Sequence, residues 1–433
     1  MGGKQIREAA LVRVAGISTI LILLLGVGSV APQKVGGREG HEVTLELVWQ
    51  REFEEEVIAG VLGQNGIIVI TEDSIYRVDT TKGEFESLRP TYEGSKEPRW
   101  RRSWVHPAAN GKFICLRHGI LVDEPSGKSG TPHTQFVQIE VIDDGGERLW
   151  DLPLREVDPY GEYIFYGGGW ISSEGYVVVT DEDTMLRGKL LFYDATGERI
   201  SDIVYSTSGL DFGASRKGAF SADGQYFVFC GKEGFKAETD SPSYLLLTDK
   251  FGKLLWKDTK KTRSEGYGYR GVRRELAISS RGSYVAATTF RTLELLIFDK
   301  AGNLLWRKEL PIKYGLSALS FTPDEQTILV SYGRNLEVFV SATGERLWHG
   351  EIQGPAASLP VATEGTGQFH VLASGSELVL VDESGKLSEG TKLIGATTES
   401  KTRGRIYPAL SSYQNRILIV FPNQVYLYRI RKD

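Results

Sequence analysis

The chain has 433 residues, a formal net charge of −5 and two cysteines. This mildly acidic balance gives no support to general nucleic-acid binding, and two cysteines cannot make the disulfide framework of a small secreted domain. Glycine is abundant, with 50 residues, which is what a fold with many tight turns requires.

The beginning of the chain differs from the rest. Basic residues precede Val14–Ala31, an apolar stretch without charge. This pattern predicts that residues 1–31 are a signal peptide or a signal anchor, with the remainder of the chain extracytoplasmic. Small residues at the end of the stretch are typical of a cleavage site, whereas Pro32 disfavours cleavage. The sequence therefore leaves both outcomes open, with a slight preference for an uncleaved anchor, and residues 32–42 are expected to be a flexible tether.

One turn type recurs through residues 43–433, and six of its seven copies have the spacing Asp/Ser-x-x-Gly. The copies are Asp79–Gly83, Asp143–Gly146, Asp194–Gly197, Asp249–Gly252, Asp299–Gly302, Ser341–Gly344 and Asp382–Gly385. In four copies a tryptophan follows the glycine by four residues, namely Trp150, Trp256, Trp306 and Trp348. Such regular spacing predicts that these indoles pack between neighbouring repeat units.

Each repeat unit contains four short apolar runs separated by turn residues, as in residues 316–352. This is the pattern of a four-stranded antiparallel meander. Residues 43–433 hold eight such units of about 49 residues each, which predicts an all-β fold, an eight-bladed β-propeller of four-stranded antiparallel blades. The last unit lacks a fourth strand. Residues 43–53, with Trp49 at the repeat position, are expected to supply it and close the ring; the alternative is that they form an unrelated linker.

The motifs SATGERLW, DKAGNLLW and DKFGKLLW resemble the PQQ-like, quinoprotein-type β-propeller repeat. The resemblance covers residues 43–433, although the units at 76–88, 188–205 and 377–393 lack the tryptophan. The family includes quinone-dependent dehydrogenases and non-catalytic members such as the outer-membrane assembly lipoprotein BamB. The resemblance therefore implies the fold and leaves the function open.

The features of the dehydrogenases are missing from this sequence. Those enzymes use adjacent cysteines, a calcium ion and a catalytic aspartate, whereas Cys115 and Cys230 are far apart and no calcium motif can be placed. The six histidines have no metal-ligand spacing. We therefore expect no cofactor and no metal, and a non-enzymatic module of the BamB-like kind. The alternative is a quinoprotein dehydrogenase or lyase with a site in the central funnel.

Long connections are expected on one face of the propeller, where such folds commonly bind ligands. They are residues 89–104, 118–134, 155–168, 206–217, 231–242, 259–274 and 394–407. Three of them combine arginine with aromatic residues, a composition typical of binding surfaces. The candidate ligand-binding residues are Trp100, Arg101, Arg102, Trp104, Tyr267, Tyr269, Arg270, Arg273, Arg274, Arg403, Arg405 and Tyr407.

The predicted partner is a protein segment or an anionic polymer, and nucleic acid is not expected to bind. The N-terminal segment is expected to contact the membrane. The alternative is that these residues only solvate and support the rim. An acidic cluster, Asp181, Glu182 and Asp183, is expected in a turn between two strands and is interpreted as solvated.

Overall fold

Antiparallel β-strands make up the secondary structure of the described part of the chain. The computed structural model describes residues 35–36, 42–91, 100–122, 134–157, 168–183, 187–206, 217–232, 243–260, 276–288, 294–310, 316–332, 335–351, 356–363, 367–374, 377–382, 391–392, 399–400, 404–405, 409–413 and 415–432. Within these residues no helix has the length and apolarity that a membrane crossing requires.

Seven sheets have four strands each, paired in chain order, and we number them as blades. Blade 1 comprises β3 Val57–Leu62, β4 Ile67–Thr71, β5 Ser74–Val78 and β6 Phe85–Pro90; blade 2 comprises β7 Trp100–Pro107, β8 Phe113–Val122, β9 Thr134–Asp143 and β10 Arg148–Val157. Blade 3 comprises β11 Gly169–Ile171, β12 Val177–Asp183, β13 Arg187–Tyr193 and β14 Arg199–Ser206; blade 4 comprises β15 Lys217–Phe220, β16 Tyr226–Lys232, β17 Ser243–Asp249 and β18 Leu254–Lys260.

The remaining blades follow the same plan. Blade 5 comprises β19 Leu276–Ile278, β20 Tyr284–Thr288, β21 Glu294–Asp299 and β22 Leu304–Glu309; blade 6 comprises β23 Leu316–Phe321, β24 Thr327–Tyr332, β25 Asn335–Val340 and β26 Arg346–Glu351. Blade 7 comprises β27 Ala356–Thr363, β28 Gly367–Ser374, β29 Glu377–Asp382 and β30 Thr391–Lys392. A small separate hairpin is formed by β31 Glu399–Ser400 and β32 Gly404–Arg405.

The last sheet differs from the seven blades because it has five strands. It contains β33 Ala409–Tyr413, β34 Arg416–Val420, β35 Gln424–Lys432, β2 Glu42–Glu52 and β1 Val35–Gly36. The expectation of eight four-stranded blades therefore needs correction: four-stranded blades number seven in the described part of the chain. The extra strand arises because Val35 and Gly36, inside the predicted tether, pair with Val43 and Glu42.

Burial decreases from the middle of each blade toward its outer edge. Every residue of β4 and β24 is buried, in keeping with their continuous Ile, Val and Leu content. The outer strands β22 and β26 alternate between exposed and half-buried residues, as expected for strands with one neighbour only. The apolar core therefore lies between blades, not within a single sheet.

The first strands of successive sheets touch one another, so they are the innermost strands. The contacting pairs are β3 with β7, β7 with β11, β11 with β15, β15 with β19, β19 with β23, β23 with β27, β27 with β33, and β33 with β3. Apolar clusters fill the spaces between neighbouring sheets; one joins Leu418 and Val420 of the last sheet to Val57 and Leu62 of blade 1. This arrangement, four-stranded antiparallel blades around an axis, confirms the β-propeller.

Three of the four repeated tryptophans dock onto the turn of the next blade, as the sequence predicts, while the turn expected to meet Trp348 lies mostly outside the described residues. The indole Nε1 atoms of Trp150, Trp256 and Trp306 donate hydrogen bonds to backbone oxygens in the turn of the following blade, at 3.1, 3.1 and 2.8 Å. Each ring also lies against the turn glycine: a Cβ built on Gly197, Gly302 or Gly344 would come within 2.7–2.8 Å of an indole carbon. The inter-blade packing role of these residues is therefore confirmed.

Blades without a tryptophan use other residues for the same contact. In blade 3 the Ser201 hydroxyl donates to the Phe251 oxygen at 2.5 Å, and in blade 1 the Arg77 guanidinium donates to the Gly145 oxygen at 2.6 Å. On β2 of the last sheet, Trp49 lies against Gly83 of blade 1, with 2.8 Å between its Cδ2 atom and a Cβ built on that glycine. The Trp49 ring thus lies against Gly83 as the Trp306 ring lies against Gly344, but the Trp49 Nε1 makes no hydrogen bond to the described residues of blade 1.

The repeated turns need glycine for conformational reasons. Gly197 and Gly302 have φ angles of 85° and 87°, a region that favours glycine. The aspartate at the start of these turns accepts backbone N–H bonds through Oδ1, for example from Thr196 at 2.9 Å to Asp194. Asp194 and Gly197 therefore have the conformational role in the turn that the sequence predicts.

Candidate functional site

The propeller has two faces of different character. The turn face carries the short connections between first and second strands and between third and fourth strands. The link face carries the connections between second and third strands and those between blades. Turns of neighbouring blades are bonded to each other on the turn face: the Asn110 Nδ2 donates to the Ser173 oxygen at 2.8 Å, and the Asp223 N–H donates to the Ser280 oxygen at 2.9 Å.

These cross-blade bonds fix the turn face, so adaptable binding groups are expected on the link face. Its longer connections fall mostly outside the described residues, but the strands that lead into them are described. The described part of the candidate site therefore consists of the strand ends at that face.

Blade 2 extends further toward the link face than blade 5 does. Its strands β8, β9 and β10 have 10 residues each, whereas β20 and β21 of blade 5 have 5 and 6. Three segments of two predicted loops are therefore strand: 118–122 and 134 from the loop 118–134, and 155–157 from the loop 155–168. The acidic cluster at 181–183 also belongs to a strand, β12, where Asp181 and Asp183 pair with Lys189 and Arg187, so the turn prediction was wrong there.

The structure places four of the candidate residues in a position that the sequence did not predict. Trp100, Arg101, Arg102 and Trp104 do not lie in a loop, because they form the first half of β7, the innermost strand of blade 2. Their register is fixed by pairing with β8, from Trp100 opposite Leu121 to Trp104 opposite Arg117. The basic and aromatic residues of this segment thus lie along the channel wall at its link-face end.

The other candidates are only partly described. Arg405 pairs with Glu399 in the separate hairpin of β31 and β32. The remaining seven lie outside the described residues, so their place in a common site stays a prediction. They are Tyr267, Tyr269, Arg270, Arg273, Arg274, Arg403 and Tyr407.

Arg117 is not among the candidate residues predicted from the sequence. It lies on β8, is only 8 % exposed, and stacks its guanidinium over the Trp104 ring with 4.3 Å between Cζ and the ring centroid. An arginine inside an apolar strand gives no signal in a search for loops, but its position opposite Trp104 of the preceding strand, β7, could have drawn attention to it. A planar guanidinium on an indole face is a favourable cation–π arrangement.

A second missed group, centred on Glu140 of β9, lies in the same blade. Glu140 is 3 % exposed and is bonded by Arg89 from blade 1, by Arg148 at 3.3 Å, and by His118 at 3.5 Å. Burial alone would raise its pKa, but His118, Arg89 and Arg148 outweigh burial and lower the pKa. The carboxylate is therefore charged at neutral pH and fastens blade 2 to blade 1.

Glu140 occupies a repeat position that is leucine in blades 3, 4 and 5. In each blade this position is the residue of the third strand that pairs with the residue following the docking tryptophan. In blade 3, Ser201 stands in the place of that tryptophan. The position is Glu140 in blade 2, Leu191 in blade 3, Leu246 in blade 4, Leu296 in blade 5 and Glu337 in blade 6. Glu337 is likewise buried and accepts a hydrogen bond from Arg346 at 3.0 Å. Each of the two glutamates therefore forms an ion pair with an arginine of its own blade.

His106 and Cys115 lie next to Arg117 in the sheet, opposite each other on β7 and β8. Burial, with a smaller contribution from Arg117, lowers the pKa of His106 to about 4. Burial raises the pKa of Cys115 to about 12. Both side chains are therefore uncharged at neutral pH, and Cys115 is the small buried hydrophobe that the sequence predicts.

Comparisons with known proteins agree with this architecture. Residues 245–426 match the family model described as outer membrane protein assembly factor BamB. The sequence has no significant match among curated proteins.

Two solved structures resemble the fold. BamB from Moraxella catarrhalis is 14 % identical with a TM-score of 0.51, and the alignment covers 89 % of this chain and 99 % of that one. The Dos1 propeller is 11 % identical with a TM-score of 0.55, covering 89 % and 95 %. At these identities the likeness concerns the fold alone. Over residues 245–426 the chain is therefore similar to the PQQ-like β-propeller repeat as it occurs in BamB.

Proposed function

We propose that this chain is a non-enzymatic binding module that holds a segment of another polypeptide at the link face of its propeller. The observation that carries this proposal is the position of β7, which brings Trp100, Arg101, Arg102 and Trp104 to the channel wall at that face. The family match to a protein assembly factor supports a polypeptide as the ligand.

The charges of the connections support an acidic segment as the partner. Residues 259–275 carry six Lys or Arg against two Glu, in a chain whose net charge is −5. Positive charge gathered around a channel mouth attracts acidic ligands and raises the rate of encounter. Arg270, Arg273, Arg274, Arg403 and Arg405 would steer the partner, while Tyr267, Tyr269 and Tyr407 would provide stacking surfaces.

The propeller that presents this face is a closed ring of eight blades in our proposal. The last sheet would be the eighth blade, completed by β2. Nine registered residue pairs between β2 and β35, from Val43–Lys432 to Glu52–Gln424, support this, as does the contact of Trp49 with Gly83 of blade 1. Contacts of β33 with both β27 and β3 give further support.

We also propose that the module works outside the cytoplasm, held to a membrane by an uncleaved Val14–Ala31. This rests on the basic residues before that apolar stretch and on the family match to an outer-membrane assembly factor. The stretch itself lies outside the described residues.

Binding of a labelled octaglutamate peptide to the full-length chain in detergent, followed by fluorescence anisotropy, tests the function. We expect affinity that weakens with added salt and disappears in the Arg270→Glu/Arg273→Glu/Arg274→Glu variant. The matched control is Lys112→Glu/Lys253→Glu/Arg307→Glu, which makes the same change of charge at exposed residues away from the link face. Equal loss in both variants would mean that net charge alone governs binding, and tighter binding of dextran sulfate than of peptide would favour an anionic polymer instead.

A further inference from the structure

Blades 4 and 5 present a group of apolar side chains to solvent at the turn face. Each of the five is 40–48 % exposed and lies in the turn before the outer strand or at the first two residues of that strand. We call this group the apolar rim; it consists of Phe251, Leu254, Leu255, Leu304 and Leu305. Exposed apolar groups of this kind mark contacts with another molecule or with a membrane.

The fold does not require leucine at two of these positions. Leu254 and Leu304 each lie two residues before the docking residue of their blade, and each is 45 % exposed. The same position in blades 2, 3 and 6 is arginine, and each arginine pairs with a carboxylate of its own blade; the three are Arg148, Arg199 and Arg346. A charged side chain is therefore compatible with the blade at this position, so packing within the blade does not explain the two leucines.

The surroundings of the apolar rim are basic, unlike the corresponding parts of three other blades. Residues 249–257 and 299–307 hold five Lys or Arg against two Asp, whereas residues 143–151, 194–202 and 341–349 hold three Arg against eight Asp or Glu. Both aspartates of blades 4 and 5 accept backbone N–H bonds inside their own turns. Apolar residues beside basic ones are the composition of surfaces that lie on anionic lipid.

The N-terminal segment joins the propeller at the same face. The strand β2 begins at the turn face, because its residue Val43 pairs with the last residue of β35 and third strands end at that face. Val35 pairs with Val43 there, and residues 32–34 alone separate it from Ala31. An extended chain covers about 3.3–3.6 Å per residue, so Val35 can lie no more than roughly 14 Å from Ala31. An uncleaved anchor ending at Ala31 would therefore keep the turn face close to its membrane.

The apolar rim lies across the ring from the sheet that carries the N-terminal segment. Along the contacts between innermost strands, three blades separate blade 4 from the last sheet in either direction. Attachment at one point lets a propeller tilt, whereas two attachments on opposite sides of one face hold that face parallel to a bilayer.

We infer that the apolar rim lies on the surface of an anionic lipid bilayer. This inference rests on the anchor of the proposed function, which brings the membrane to the turn face, and it adds a second contact made by the propeller itself. The leucines and Phe251 would enter the headgroup region, and the neighbouring basic side chains would meet lipid phosphates. The link face then points away from the membrane and stays open to a polypeptide.

Quenching of a fluorescent label on the full-length chain in lipid nanodiscs tests the inference. Bimane is attached to Asn303→Cys, beside Leu304 on the apolar rim, or to Glu54→Cys at the link face for comparison. Both variants also carry Cys230→Ala, and Cys115 stays unlabelled because it is buried and its pKa is raised to about 12. The nanodiscs contain phosphatidylcholine and phosphatidylglycerol, with some lipid carrying a nitroxide quencher on its headgroup. Label at residue 303 should be quenched, and label at residue 54 should not.

Leu254→Gln/Leu304→Gln removes two exposed leucines of the apolar rim and keeps the anchor. We expect the ratio of docked to undocked rim to fall about tenfold, which corresponds to about 1.4 kcal/mol, so most of the quenching at residue 303 should disappear. Nanodiscs of phosphatidylcholine alone should also reduce the quenching, because the basic residues lose their attraction to the surface. The matched control Leu149→Gln/Leu347→Gln makes the same change at exposed leucines of blades 2 and 6 and should keep the quenching.

The outcomes separate the apolar rim from the anchor. If the chain resists an alkaline wash but residue 303 is quenched no more than residue 54, the inference is overturned and the anchor stands. If the N-terminal segment is cleaved, the mature chain is mixed with the same nanodiscs; quenching at residue 303 then supports the inference without the anchor, and its absence overturns it. Binding of octaglutamate in detergent bears on the proposed function alone.

Two further results would assign the apolar rim differently. Self-association in detergent that Leu254→Gln/Leu304→Gln abolishes would make a second copy of this chain the occupant and overturn the inference. Equal loss of quenching in the matched control would overturn the assignment to blades 4 and 5. Should the leucine variant fail to fold, as judged by its thermal transition, Phe251→Gln at the tip of the turn decides in its place.

Discussion

The docking of Trp306 between blades 5 and 6 gives the sharpest test of how the propeller is held together. Its Nε1 donates to the Ser341 oxygen at 2.8 Å, its ring centroid lies 5.9 Å from that of Phe339, and it closely approaches Gly344. Replacing a buried Trp by Ala costs about 3–5 kcal/mol. Since Trp306 is half-buried, we expect Trp306→Ala to lower the free energy of unfolding by about 3 kcal/mol, of which the hydrogen bond supplies about 1 kcal/mol.

Thermal unfolding followed by near-ultraviolet circular dichroism measures this effect. Unfolding entropy of about 2.1 cal/mol/K per residue gives about 0.8 kcal/mol/K for a propeller of this length, so Trp306→Ala should lower Tm by about 4 °C. Trp306→Phe is the matched control: it keeps an aromatic ring on Gly344 and loses the N–H donor, so its Tm should fall by only about 1 °C.

The two variants together separate the contribution of ring packing from that of the hydrogen bond. A Tm of Trp306→Ala within about 1 °C of the wild type would contradict the docking role, since it would mean that the indole stabilises neither blade. Equal losses in Trp306→Ala and Trp306→Phe would place the whole effect in the hydrogen bond and none in ring packing.

Three other predictions concern the ring, the buried charge and the membrane. Deleting residues 42–52 should expose the edge of β35 and cause aggregation or a large loss of Tm; a monomeric product with unchanged Tm would contradict ring closure. The pKa of Glu140 is lowered below 4.5, so its stabilising contribution is complete above that pH and is lost as pH falls through the lowered value. Glu140→Gln should therefore show a smaller fall of Tm on acidification than the wild type, and an equal fall would refute this. If Val14–Ala31 is an uncleaved anchor, the chain should stay with membranes during an alkaline wash; a mature N-terminus near Ser29 or Pro32 would show cleavage.

The fold could be predicted from the sequence because its determinants are local and repeated. The Asp-x-x-Gly turn requires a positive φ at its glycine, and the tryptophan four residues later meets the next such turn, as with Trp150 and Gly197. Each of these signals recurs at the spacing of one blade. The prediction erred in the last sheet, where Val35–Gly36 is too short and too glycine-rich to read as a strand.

The candidate site was less predictable because its residues are charged. Residues Trp100–Trp104 read as a polar link, yet their backbone belongs to the innermost strand, where pairing with β8 overrides the sequence pattern. Arg117 and Glu140 are buried at positions that suit apolar residues. Their three-dimensional partners, which include Trp104 for Arg117 and Arg89 with Arg148 for Glu140, help to explain why these residues are tolerated there.

The pairing of β2 with β35 has a consequence for how the chain acquires its structure during synthesis. The Gln424 side chain donates to Glu52 across 372 positions of sequence. Therefore β2 can pair with β35 only after nearly all of the intervening residues have been synthesised. Blades 1–7 join strands that are close in sequence and can form as they emerge, whereas the last sheet depends on a distant encounter and is expected to form slowly. During that interval β2 is an apolar strand without its partner and is prone to aggregate, so a chaperone that shields β2 until β35 arrives would protect the chain.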